Sequence, residues 1–192
     1  MELVLDLKKR YSYADYLTWA DEKFREIMNG IIQTMSPAPS TKHQVVCGNL
    51  FANLHRFIKR KKGKCKVFTS PFDVRLPQNG EKADAEIYNV VQPDICVVCD
   101  PSKLDKRGCL GAPDLVIEIL SFSSLRYDMI QKFNLYEASG VREYWVVSPS
   151  EEAILVFLLQ PDGKFDQGTN YDERKAPVGI FDNYEIDFTD IF

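Results

Sequence analysis

The stretch from Val91 to Tyr136 decides how this chain folds: VQPDICVVCD (residues 91–100), a short loop, APDLVIEILS (112–121) and SSLRYDMIQKFNLY (123–136). The first two segments read as apolar strands, one carrying Asp94 and the other Glu118, and the third as a helix. Side chains four apart on a helix share a face, so Asp128, Lys132 and Tyr136 point together toward the strand ends. Carboxylates planted in two greasy strands are costly to bury unless something compensates them, and a divalent cation does so well.

Working outward toward the N-terminus, helical spacing predicts a short cover helix over Ser12 to Trp19 with Ser12 as its N-cap. In FREIMNGIIQTM, Asn29-Gly30 lies between two alternating apolar runs, a strong hairpin signal that sets Met28 against Ile31 and Glu26 against Gln33. A strand carboxylate beside a turn is ordinarily a solvent-facing edge residue, and Glu26 carries that reading beside a functional one. HQVVCGNLFANLHRFIKRKK then repeats Val46, Leu50, Leu54 and Phe57/Ile58 at helical spacing, with a basic exit. His43 stands at its start, where a histidine is more often a surface or capping residue than a catalytic one. VFTSPFDVRLP is a strand interrupted at Pro71, hence an edge or a bulge, and PQNGEKADAEIYN is a polar exposed connection.

Toward the C-terminus, Gly140 fits a helix stop ahead of a strand over Glu143 to Val147, which makes the preceding helix a crossover between parallel strands. AILVFLL gives a further strand, PDG a turn, and PVGIFDNYEIDFTDIF a short strand and tail. This order predicts an α/β fold: a mixed central β-sheet flanked by helices, with an N-terminal helix and β-hairpin.

The chain has 192 residues, 45% of them hydrophobic and 27% charged, which fits a single domain over 1–192 that buries roughly 70% of its unfolded surface. No apolar run nears the ~20 residues of a membrane span, and the N-terminus lacks a small-residue cleavage site, so a soluble cytoplasmic protein is expected. Five cysteines form an odd set without a paired framework, which suits a reducing compartment. Residues three apart on a strand point to opposite faces, so Cys96 and Cys99 read as buried small hydrophobes rather than a zinc or redox pair. Serine hydrolysis is disfavoured because no GxSxG elbow is present. The net charge of −4 argues mildly against a protein that coats nucleic acid. Lys59, Arg60, Lys61 and Lys62 nonetheless belong to a block without acids, which reads equally as a phosphate-binding patch and as a solvated helix end.

Metal-assisted phosphodiester hydrolysis needs hard oxygen ligands for Mg2+ or Mn2+, an activated water and a cation near the developing negative charge. Asp94 and Glu118 are the candidate metal ligands, the Ile119 carbonyl a further one, and Lys132 the cation. Blander readings stand beside these. Asp128 and Lys132 also fit an ordinary i,i+4 ion pair worth roughly 0.2–0.5 kcal/mol, although that leaves the two strand carboxylates unexplained. Asp114 reads as a cap on local backbone and Tyr136 as packing.

Pro93-Asp94 followed by Glu118-Ile119-Leu120 resembles the PD-(D/E)xK nuclease superfamily, with Leu120 in the place of the usual lysine. In that superfamily the lysine can migrate to the following helix, which is where Lys132 lies, and Glu26 resembles the additional early acidic residue of many members. More narrowly, the chain resembles the restriction-endonuclease-like family known as Uma-two. The resemblance rests on Glu26 to Gly30, Met35-Ser-Pro37 followed by His43, Gln92-Pro-Asp94, Ala112 to Ser121, Asp128 with Lys132 and Tyr136, and Gly140 to Trp145. Phe122 replaces the family's proline after the glutamate. The resemblance implies a restriction-endonuclease-like fold and a metal-dependent endonuclease acting on DNA. Asp94, Glu118, Lys132 and Glu26 would form its catalytic set, with Mg2+ or Mn2+ on Asp94 and Glu118. It also implies a homodimer; His43 and, from the basic run, Lys59, Arg60, Lys61 and Lys62 are the candidate nucleic-acid contacts. The alternative is a catalytically silent nuclease-fold module for nucleic-acid binding or assembly.

Overall fold

Asn29 and Gly30 take left-handed backbone angles, φ 51° and 81°, which is what a two-residue hairpin turn between twisted strands demands. The computed structural model containing this hairpin describes residues 5–6, 8–19, 23–34, 39–121 and 127–192, apart from the side chains of Thr34, Tyr127 and Asp128. Met35 to Pro37, Phe122 and the Asp128 side chain, all part of the motif pattern, therefore lie outside the described residues. Along the chain the elements are α1 (Tyr13–Tyr16), β1 (Arg25–Met28), β2 (Ile31–Thr34), α2 (Thr41–Lys61), β3 (Lys66–Thr69), β4 (Val74–Arg75), β5 (Val90–Val91) and β6 (Ile95–Val98). There follow β7 (Leu104–Asp105), β8 (Gly108–Leu110), β9 (Leu115–Ile119), α3 (Tyr127–Ser139), β10 (Glu143–Ser148), β11 (Ala153–Leu158), β12 (Thr169–Tyr171), β13 (Lys175–Pro177) and β14 (Glu185–Asp187).

The hairpin has the expected register, with Met28 opposite Ile31 and Glu26 opposite Gln33. Ser12 caps α1 in a reciprocal capping box with Asp15, but the helix ends at Tyr16 instead of running to Trp19. Beyond the helix, Trp19 lies edge-on to Tyr11, and Tyr11 and Tyr13 join a cluster with Ile27, Ile32, Ile87 and Val90. The longer α2 starts at Ser40, whose hydroxyl accepts the His43 N–H, and ends with Lys62 left-handed after Lys59, Arg60 and Lys61. Those cations suit the negative end of the helix.

The main sheet has the order β12-β11-β10-β9-β6-β3, with β9 and β10 parallel across the α3 crossover and its other pairs antiparallel. A second six-stranded sheet, β2-β1-β5-β4-β8-β7, is assembled from short strands. The run interrupted at Pro71 supplies one strand to each sheet, β3 before the proline and β4 after it. At Gly108 (φ 132°) any Cβ would overlap the Asp73 carbonyl, so the approach of β8 to β4 requires glycine.

Strand alternation sorts the core onto two faces of the main sheet. Ile95, Val97, Leu115, Ile117, Ile119, Trp145 and Val147 pack with Val46, Leu50, Leu54 and Ile58 of α2. Cys96, Val98, Val116, Tyr144 and Val146 pack with Leu135 and Tyr136 of α3. Glu118, one residue out of phase with Ile117 and Ile119, is thereby directed to the α3 side. Gly140 (φ 81°) closes α3: the Val141 N–H reaches the Tyr136 carbonyl and the Gly140 N–H that of Glu137. Among the described residues no helix is long and apolar enough to cross a membrane.

The cysteine reading is corrected at one pair, because Cys65 and Cys99 form a disulfide while Cys47, Cys96 and Cys109 are free. β3 and β6 run antiparallel with Lys66 opposite Val98, and one further step along that register sets Cys65 against Cys99. Cys96 faces the other way and is a buried small side chain, as expected from its strand position.

Candidate active site

β6 and β9 are neighbours, and their register sets Ile95 opposite Ile117. One residue further, Asp94 stands opposite Glu118. Asp94 is held by the backbone of the neighbouring strand, since the Ile119 N–H donates to Asp94 Oδ2 at 2.8 Å. From α3, Lys132 Nζ and the Tyr136 hydroxyl both donate to Glu118 Oε1, at 2.9 and 2.7 Å. They reach the same oxygen because they lie one helical turn apart. The Lys132 ammonium also lies 3.0 Å from Glu26 Oε1, which in turn accepts the Gln92 N–H at 2.8 Å. From the start of α2, His43 Nε2 comes within 3.3 Å of Asp94 Oδ2. The strand acids are not sealed off, with 24% of the Asp94 side chain and 14% of the Glu118 side chain exposed.

The electrostatics follow from crowding three carboxyl groups around one ammonium and one imidazole. Burial, reinforced by the nearby Asp94 and Glu26 charges, pushes Glu118 up to about 7 against the opposing pull of Lys132. For Lys132, burial by itself favours the neutral amine, but Glu118 and Glu26 together override it and hold the ammonium. The hydrogen bond to Asp94 raises His43 above its ordinary value despite burial, with the Ile119 carbonyl and Glu118 adding to the effect. Glu143 is a buried carboxyl of another kind, because it accepts the Trp145 indole N–H and the backbone N–H groups of Gly179 and Ile180. Its burial is satisfied by neutral donors, so it serves the fold.

Glu26 is only 5% exposed, so the edge reading of this residue is overturned: β1 is flanked by β2 on one side and β5 on the other. His43, read as a surface or capping position, is likewise buried, and its imidazole faces Asp94. Lys59, Arg60, Lys61 and Lys62 are exposed at the opposite end of α2. At 1.5 Å per residue that is about 24 Å along the helix from His43. Asp114 accepts the Cys99 N–H and pairs with Arg142, a structural role. Tyr136 combines both of its readings, fully buried in the core and bonded to Glu118. Gln92, which had been assigned no role, links Glu26 through its backbone to Asp73 and Tyr16 through its side-chain amide. Nothing along the chain signals that link, because Glu26 and Gln92 are 66 residues apart.

The chemistry of the donor set fits a hard divalent ion: two carboxylates on neighbouring strands, a backbone carbonyl at Ile119 and an imidazole, in surroundings with more acids than bases. Among the described residues no three His, Cys, Asp or Glu side chains already stand at ligand spacing. His43 and Asp94 do face one another, whereas Glu118 Oε1 is engaged by Lys132 and Tyr136.

Known proteins share both the pattern and the architecture. Over 160 residues the chain is 27% identical to an uncharacterized protein from Synechocystis sp. (strain PCC 6803), covering 80% of this chain and 77% of that one. Its fold matches that of a crystal structure described as a putative nuclease belonging to DUF820 from Anabaena variabilis, with TM-score 0.74, 20% identity, and coverage of 94% and 97% of the two chains. The model of the Uma2 family, described as "Putative restriction endonuclease", matches residues 13–179, a span that holds Glu26, His43, Asp94, Glu118 and Lys132 together. With the motifs, the strand-strand-helix arrangement and the family match in agreement, this chain belongs to the Uma2 family and has a restriction-endonuclease-like fold.

Proposed function

We propose that this protein is a divalent-metal-dependent endonuclease that hydrolyses phosphodiester bonds in DNA. The observation that carries the reading is the meeting of Asp94, Glu118 and Lys132, from two adjacent strands and the helix that follows them, at one partly open place. The family description and the nuclease assignment of the Anabaena protein support the same reaction class.

Asp94 and Glu118, with the Ile119 carbonyl, would hold Mg2+ or Mn2+. When bound, such an ion supplies Lewis-acid activation of the phosphate and a more acidic water. The chain's own contribution is to position charge. Lys132 presents a fixed ammonium to the negative charge that develops on the phosphoryl oxygens, and a donor held in place beforehand stabilises that charge without reorganising. Glu26, from β1 of the second sheet, holds Lys132, and Tyr136 holds Glu118. Lys59, Arg60, Lys61 and Lys62 would meet phosphates of the same duplex at a distance from the scissile bond. Many nucleases of this kind pair two sites to cut both strands, so a homodimer belongs to the proposal and light scattering tests it.

The deciding experiment incubates purified protein with plasmid DNA, linear DNA and RNA in Mg2+ or Mn2+, beside Asp94→Ala and Lys132→Met. DNA cleavage by the parent alone supports the reading. A parent inert on every substrate, yet still retaining DNA in a gel-shift assay, selects the silent binding module instead.

A further inference from the structure

We propose that His43 is a nitrogen ligand of the divalent-ion site and inclines that site toward Mn2+ over Mg2+. The inference rests on the metal-dependent reading above and adds a ligand from outside the strand-strand-helix set.

His43 occupies the third position of α2, and its backbone is fixed by the Ser40 cap, whose hydroxyl accepts the His43 N–H at 3.2 Å. The side chain is 8% exposed, and its Nε2 lies 3.3 Å from Asp94 Oδ2. The Ile119 carbonyl is its other polar neighbour. Nδ1 is buried and has no hydrogen-bond partner among the described residues. The ring is directed at the two groups that border the candidate ion site.

The spacing fits the same role. Adjacent ligands of a six-coordinate ion with bonds of about 2.0–2.1 Å stand about 3 Å apart, and His43 Nε2 and Asp94 Oδ2 are separated by 3.3 Å. An all-oxygen set suits Mg2+, whereas replacing one oxygen by imidazole nitrogen favours Mn2+ and the later first-row ions. The rival account makes His43 a plain hydrogen-bond partner of Asp94.

Two measurements separate these accounts. The first is electron spin-echo modulation of the Mn2+-loaded protein, which registers a directly bound nitrogen. The chain has two histidines, and the other, His55, is exposed and stacked on Phe51 further along α2, so a histidine nitrogen signal belongs to His43. The second is calorimetric titration of the parent, His43→Ala, His43→Asn and Glu118→Ala with Mn2+ and with Mg2+. His43→Asn keeps a polar group beside Asp94 and guards against a folding defect.

The expected result is a nitrogen modulation in the parent, with Mn2+ affinity falling about tenfold or more in both His43 variants and Mg2+ affinity falling about threefold or less. A parent that binds Mn2+, loses it in Glu118→Ala, and yet shows no nitrogen modulation or no change of preference at His43 overturns this inference and leaves the nuclease reading standing. A parent that binds neither ion overturns both.

Discussion

The Lys132 ammonium lies 2.9 Å from the Glu118 carboxylate although the two residues are 14 apart in the chain and belong to different elements. The same ammonium lies 3.0 Å from Glu26, so one cation serves two buried acids, and those acids come from the two different sheets.

Lys132→Met should therefore leave two carboxylates without their counter-charge. Removing one partner from a buried ion pair costs about 3–5 kcal/mol. Urea unfolding at pH 7.5 should show a loss of that order, smaller at pH 5 where Glu118 takes up a proton. Cleavage should be abolished at both. An unchanged midpoint at pH 7.5 would mean that the ammonium is dispensable to the fold.

Glu118 gives a pH dependence with a definite sign. Its carboxyl is raised from 4.5 to about 7 in the folded protein by burial and the neighbouring acids. The folded state therefore keeps a proton that the unfolded state has released, and stability is fully present below pH 4.5 and lost as pH rises through about 7. In chelator-treated protein, Glu118→Gln should flatten that part of the unfolding curve. Saturating Mn2+ should act oppositely at pH 7.5, adding about 2.7 kcal/mol at a hundredfold excess over its dissociation constant. EDTA should remove the gain.

Glu26 can be dissected by two substitutions. Glu26→Gln retains an acceptor for the Gln92 N–H but removes the charge that faces Lys132, whereas Glu26→Ala removes both. The alanine variant should be less stable than the glutamine variant by about 1–3 kcal/mol, the cost of an unmet buried donor. Both should cleave more slowly than the parent. Equal melting temperatures for the two would show that the Gln92 contact carries no stability.

The Cys65–Cys99 bond is open to direct counting. Unfolded protein alkylated without reductant should gain three labels by mass spectrometry, on Cys47, Cys96 and Cys109, and five after reduction. The bond closes a loop of 34 residues, and reduction should lower stability by about 3–4 kcal/mol on the chain-entropy account.

The basic end of α2 should act on affinity without touching chemistry. Replacing Lys59, Arg60, Lys61 and Lys62 by alanine should weaken DNA binding and make the salt dependence shallower by up to about four phosphate contacts. Turnover at saturating DNA should be retained. Parent-like binding and salt slope in this variant would mark the block as a solvated helix end.

Much of this protein is legible in one dimension, because periodicity is a local property. The hairpin at Asn29-Gly30, the long α2, the Gly140 stop and the phase that turns Glu118 away from Ile117 and Ile119 all follow from spacing and backbone preference. So does the pairing of Lys132 and Tyr136 on one helix face. The tertiary structure alone decided that β1 is flanked on both sides, which buries Glu26; that the start of α2 carries His43 to Asp94; and that β3 sets Cys65 against Cys99. The physical reason is shared by all three. Pattern along a chain reports which face a side chain takes, whereas the neighbour it meets there depends on strand order and register, which residues far apart in sequence settle together.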